Sequence, residues 1–179
     1  KVEAVLAPHR EGLPGVNLHC AMHSYRIGNP NQPATPGTPH PLWFEYLALQ
    51  SSGHGPQQPI SITFTNKESS IVRGLADWTT VNEGLYNNIK LFDSVNPIAR
   101  GKQSYKTRSG EERTSDFVVV WSNLYGPKKT RVFSTTLGHN NATVEDARYL
   151  DLVARGVLWA TGHLNEDGTP AEGYAAQKK

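Results

Sequence analysis

Residues 117–141 read Phe117-Val118-Val119-Val120-Trp121-Ser122-Asn123-Leu124-Tyr125-Gly126-Pro127-Lys128-Lys129-Thr130-Arg131-Val132-Phe133-Ser134-Thr135-Thr136-Leu137-Gly138-His139-Asn140-Asn141. The first five residues are an unbroken run of β-branched and aromatic side chains, the composition of a buried strand. Gly126 to Lys129 is a turn. Thr130 to Thr136 reads as the next strand, so the pair predicts a hairpin. Leu137 to Asn141 ends it. Glu145 to Ala160 then carries Leu150, Val153, Val157 and Leu158 at spacings of three and four, which predicts a helix with those residues on its apolar face. Gly162 is placed to cap it.

Upstream, residues 2–7 predict the tail of a helix broken near Pro8. Leu13 to Leu18 predicts a short strand covered on both faces, running straight into His19-Cys20-Ala21-Met22-His23. Five of the twelve prolines fall between Gly28 and Pro41, which excludes regular structure there and predicts an ordered excursion loop. Pro41 to Leu49 predicts a short helix with proline at its start. Ile60 to Phe64 alternates like a strand, and Asn88 to Phe92 reads as another. Ser69 to Leu75 predicts a turn. Gly101 to Ser115 is polar and charged, which predicts an exposed loop. The residues divide into a domain over 1–164 and a polar tail over 165–179, expected to be loosely held.

The chain has 179 residues, enough for one domain. Hydrophobic residues make up 37% and charged residues 19%, which excludes a disordered chain. Eighteen lysines and arginines against sixteen acids leave a net charge of +2, which argues against nucleic acid as a partner. No apolar run reaches the roughly 20 residues of a membrane span. The single cysteine, Cys20, excludes an internal disulfide and a cysteine-rich zinc site. The expected reading is a soluble protein, cytoplasmic or periplasmic, with the compartment left open.

Histidine is the residue type that marks chemistry here. His19 and His139 each follow a predicted strand, and in open α/β sheets the ligand crevice lies beyond the carboxyl ends of strands. His54 sits between two glycines in Ser52-Gly53-His54-Gly55, where the backbone can approach a ligand closely. His23 lies four residues after His19 and shares its face if the chain turns helical. Three neutral imidazoles, His19, His54 and His139, are a candidate set for zinc or another divalent transition metal with one position left open. Each also has a plain reading as a histidine that satisfies loop backbone. His9, His40 and His163 read as surface residues. Glu83 is an acid in an otherwise uncharged stretch and a candidate general acid or base, or else a cap or ion-pair partner. Tyr86 is its hydroxyl neighbour. Cys20 follows a strand at a sharp turn, as a nucleophile does, although its ordinary reading is a small buried hydrophobe.

Several blocks together carry a resemblance. They are Gly15-Val16-Asn17-Leu18-His19-Cys20-Ala21, Gly53-His54, Glu83-Gly84-Leu85-Tyr86, Arg131 to Asn140, and the helix segment Arg155-Gly156-Val157-Leu158-Trp159-Ala160. Over about residues 1–162 the chain resembles the ThuA-like (trehalose utilisation) family. The resemblance implies a flavodoxin-like, class I glutamine amidotransferase-like α/β fold, a three-layer sandwich. It implies a carbohydrate substrate, a keto-sugar or a disaccharide-derived compound, and carries over His19, His54, Glu83, Tyr86 and His139 as pocket residues. Cys20 is similar in position to the amidotransferase nucleophile. Where the family shows His-Pro-Ile, this chain has Ser69-Ser70-Ile71. The family begins with a βαβ portion that precedes the Leu13–Leu18 strand. That portion is expected upstream or in another chain, and homo-oligomerisation stays open.

Three functions compete at this point. The first is a hydrolase or lyase acting on keto-glycosides, with Glu83 and His139 catalytic, His19, His23, His54 and Tyr86 binding substrate, and His19, His54 and His139 available to a metal. The second is a cysteine-dependent amidotransferase-like hydrolase. The third is a non-catalytic sugar-binding or scaffold domain, which requires the three imidazoles to lie far apart.

Overall fold

The computed structural model describes residues 1–35, 37 and 41–176. In chain order the elements are α1 (Val2–Arg10), β1 (Gly15–Leu18), a 3-10 helix (His19–His23), α2 (Leu42–Leu47), β2 (Leu49–Gln50), β3 (His54–Phe64), β4 (Trp78–Tyr86), β5 (Lys90–Leu91), β6 (Val95–Lys106), β7 (Glu112–Tyr125), β8 (Thr130–Thr135), α3 (Asn141–Val144) and α4 (Ala147–Ala160). Six strands form one sheet in the order β1-β8-β7-β6-β3-β4, and β2 pairs with β5 beside it. The predicted hairpin is β7 against β8, antiparallel, with Trp121 opposite Ser134. β1 lies parallel to β8, with Val16 beside Phe133 and Leu18 beside Thr135. The remaining pairs of the large sheet are antiparallel.

Helices cover both faces, which makes a three-layer α/β sandwich of the flavodoxin-like type. On one face Leu6 of α1 and Trp43, Phe44, Tyr46 and Leu47 of α2 pack with Val118, Trp121 and Val132. On the other, Tyr149 and Leu152 of α4 pack with Ile60, Ile62, Val119, Val120 and Phe133. β7 therefore supplies both cores. A register shift places Val118 opposite Arg100 and Val120 opposite Ala99, so Val119 has no paired residue. The extra residue lets Val119 and Val120 face the same way, as a bulge does.

The last helix differs from its predicted face. Tyr149, Leu152, Gly156 and Ala160 are buried, whereas Leu150 and Val157 are 50% and 40% exposed. A Cβ on Gly156 would meet the Phe133 ring at 2.4 Å, so the helix packs on the sheet through a glycine. A hydrophobicity pattern cannot register glycine as the closest contact. Asp146 caps the helix by accepting from the Arg148 N–H, and Gly162 at φ +80° ends it, as expected.

Three further expectations change. Gly101 to Ser115 is not a loop: it is the outer half of the β6–β7 hairpin, with Gln103 opposite Ser115 and Lys106 opposite Glu112. Their side chains are mostly polar although their backbones are paired. α1 continues through Pro8 to Arg10. The segment 163–174 folds back on itself instead of trailing: Ala171 N–H donates to the His163 carbonyl, and the His163 ring stacks on Tyr174 at 3.7 Å. His9 bonds the Leu13 carbonyl and packs against Tyr46. His40 lies outside the described residues. Among the described residues no helix is long and apolar enough to cross a membrane.

Candidate functional site

Parallel pairing of β1 and β8 places their carboxyl ends side by side, and each is followed by a histidine. After Leu18 the chain turns abruptly: His19 has φ +41°, a left-handed conformation that costs a non-glycine residue strain. The 3-10 helix that follows carries Cys20 and His23. After β8, Gly138 takes φ +109° and turns the chain into His139. Glycine is required there twice over, because a Cβ would also come within 2.6 Å of the Tyr149 hydroxyl. From the other half of the sheet, β3 starts at His54 and β4 ends at Tyr86, and these two residues are register partners. Four strand ends thus converge at one edge.

The Tyr86 ring stands at the centre. His23 lies 4.7 Å from it, His19 5.2 Å and His54 5.4 Å between ring centroids. His139 is 5.0 Å from His19 and 6.2 Å from His54. The four imidazoles singled out from the sequence lie together in one cluster of rings around Tyr86.

Hydrogen bonds orient the rings. His19 Nδ1 lies 2.9 Å from the Thr136 carbonyl, which can only accept, so this nitrogen carries the proton. In the neutral ring Nε2 then accepts, and its partner at 3.1 Å, His139 Nδ1, donates. His139 Nε2 is left with a lone pair, and the Gln57 amide nitrogen donates to it. The tautomers follow from the carbonyl at one end and the amide at the other. His54 Nδ1 donates to the Gly55 carbonyl at 2.7 Å, which leaves its Nε2 as an acceptor. His23 Nε2 meets the Ser51 hydroxyl at 3.1 Å.

Glu83 is fully buried. Its carboxylate accepts the His139 backbone N–H at 2.9 and 3.2 Å. The side chain read from the sequence as a proton-transfer group is therefore turned to His139, whose backbone it holds. Asn140 Nδ2 adds a bond to the Asn82 carbonyl, tying the same loop to β4.

Burial holds the His23 pKa down at about 4, with the Arg26 charge and the neighbouring imidazoles acting in the same direction. Burial also raises the Tyr86 hydroxyl to about 12, helped by the nearby Cys20 thiol and Glu83. Tyr86 therefore keeps its proton at neutral pH and serves as a donor or a ring surface, not as a base. Cys20 is exposed, which corrects its reading as a buried hydrophobe. Its thiol contacts the Tyr86 hydroxyl. The strained residue at the strand-to-helix turn is His19, one position before it.

The expected metal set does not fit as arranged. The Nδ1 atoms of His19 and His54 face carbonyls, and His19 Nε2 faces His139. Among the described residues, no group of three or more His, Cys, Asp and Glu side chains is placed to hold a metal ion. Gln57, Thr136 and Ser51 are site residues that sequence reasoning missed. Gln57 lies in a polar stretch, Gln57-Gln58, and Thr136 acts through its backbone, so neither leaves a signal in composition or spacing.

No curated protein matches the chain. A family model described as trehalose utilisation matches residues 7–160. That span includes β1, the histidine-bearing turns after β1 and β8, and all of α4, and by it the chain belongs to ThuA, a glutamine-amidotransferase-like family.

Proposed function

We propose that this protein processes an oxidised sugar, a keto-glycoside derived from a disaccharide, in the pocket around Tyr86. One observation carries the reading: the oriented chain Thr136 carbonyl–His19–His139–Gln57 at the joined ends of β1 and β8. It leaves a single directed lone pair, on His139 Nε2, behind an amide that a ligand can displace.

A keto group acidifies the neighbouring C–H. Displacement of Gln57 would let His139 Nε2 take that proton. The imidazolium so formed still donates through Nδ1 to His19, whose own Nδ1–H stays fixed on Thr136. The Glu83 carboxylate, bonded to the His139 backbone N–H, is an opposite charge held close to the imidazolium and lowers the cost of forming it. The electron pair released from the C–H bond forms a C=C bond as the glycosidic C–O bond breaks, and the leaving oxygen takes the proton back from the His139 imidazolium, directly or through a solvent water, which restores the neutral imidazole. Tyr86 and His54 offer a ring surface and an acceptor for substrate hydroxyls.

The test is turnover of a keto-disaccharide by single variants with intact folds. His139→Ala should lower the rate by about 10²–10⁴-fold, the usual range for a general base. Cys20→Ala should retain it, because the thiol is not in the chain of imidazoles. Parent-like turnover by His139→Ala, or loss of turnover in Cys20→Ala alone, would reverse the assignment and favour the thiol as nucleophile.

A further inference from the structure

We infer that a cleft beside His54, built around the Gln103 amide, is a second sugar subsite that takes the pyranose unit joined to the ring held by the imidazoles. The inference rests on the carbohydrate reading above. The cleft holds about 250 Å³, and its walls include His54, Gly55, Gln103, Tyr105, Ser115 and Phe117. That is below the roughly 300–1,000 Å³ of sites for drug-sized ligands, so it suits one ring.

Gln103 of β6 is 1% exposed. Its Nε2 donates to the Gln58 carbonyl at 2.8 Å and the Glu83 carbonyl at 3.1 Å. Two carbonyls on one side settle which end of the amide is nitrogen. Among the described residues, Oε1 has no hydrogen-bond partner. Buried acceptors are normally satisfied, so this one asks for a donor. Gly55 covers it only with backbone: a Cβ there would lie 2.9 Å from Oε1. Gly55 does not have a positive φ, so what the glycine provides at this place is space.

The chemistry of the ligand follows. Carboxylate and fully ionised phosphate oxygens only accept, and neither can meet Oε1. A neutral hydroxyl can. Among the described residues, the cleft walls carry no lysine or arginine to hold an anion. Tyr105 and Phe117 offer an apolar surface to the C–H face of a pyranose, and the Ser115 hydroxyl offers a partner at its rim. His54 borders this cleft and also packs on Tyr86, so a glycosidic link between the two rings would pass it.

The test is a titration of the isotopically labelled full chain with methyl α-glucoside, which has no keto group and cannot react. The Gln103 side-chain amide signal should shift and saturate. Gly55→Ala, which fills the space in front of Oε1, should weaken this response about tenfold, the loss of one hydrogen bond. Tyr105→Ala should weaken it too, and serves if Gly55→Ala does not fold. No saturable shift in the parent, or an unchanged one in both variants, overturns the subsite even where His139→Ala abolishes turnover of a keto-disaccharide. A saturable Gln103 shift with no turnover by any form would instead leave the subsite standing and remove the imidazole chemistry.

Discussion

His23 sits between Tyr86 and Ser51, where removal from water and the Arg26 charge hold its pKa at about 4. In the unfolded chain it should titrate near 6.5. Above that pH both states are neutral at His23, and its contribution to folding is constant. As pH falls, the unfolded state takes up a proton first, so stability should fall between about 6.5 and 4. The loss is on the order of 1–3 kcal/mol after allowance for partial solvent screening. Thermal unfolding at pH 7 and pH 4.5 should show that drop in the parent and a smaller one in His23→Gln; equal drops would mean that His23 is not the group responsible. Much of the imidazole cluster was legible at this scale. His19 and His139 follow strands, His54 is set between glycines, and position relative to a strand end is a sequence property. What Glu83 does was not legible, because an acid reads the same whether it faces substrate or a buried backbone N–H. Gln57 and Gln103 were invisible for a related reason: a glutamine acquires its role only from the amide or carbonyl that folding sets against it.

α4 and the β6–β7 hairpin were legible to different degrees. The helix itself was evident from spacing, but its buried face turned out to be one flank away, because Gly156 and Ala160 let the backbone approach Phe133 while Leu150 and Val157 stay exposed. The consequence is measurable. In an open helix Gly→Ala gains up to about 1 kcal/mol of propensity. Here the added methyl would fall 2.4 Å from Phe133 ring carbons, an overlap that only a shift of helix or ring can relieve. Overpacking of this kind costs about 1–3 kcal/mol. Gly156→Ala should therefore lower the midpoint of urea unfolding; a raised midpoint would show that helix and sheet have slack between them. The hairpin failed as a sequence reading because its outer strands carry neither apolar alternation nor a hydrophobic run. Their signal is backbone pairing alone, Gln103 with Ser115 through Lys106 with Glu112, and polar composition masks it.

Across the whole molecule, the sheet is a wall shared by two cores. Trp43 and Trp121 lie in the core under α1 and α2, and Trp78 lies in the core under α4, with Trp159 packed against it. β7 sends Val118 and Trp121 to one side and Val119 and Val120 to the other, and β8 likewise splits Val132 from Phe133. Neither core can lose its packing while these strands stay in place for the other. The histidine-bearing edge adds a second tie, since His19 leaves β1 and His139 leaves β8 into one hydrogen-bonded chain. Unfolding should therefore be a single cooperative transition. The four tryptophans make this testable without a foreign probe. Equilibrium denaturation of a Trp78→Phe, Trp159→Phe double variant reports through Trp43 and Trp121, and a Trp43→Phe, Trp121→Phe double variant reports through the opposite face. Each should give one fluorescence transition whose midpoint and slope coincide with those from far-ultraviolet circular dichroism of the same variant. Two resolved transitions, or a face whose fluorescence changes well before its helicity, would mean that the faces fold as separate units and that β7 and β8 do not couple them.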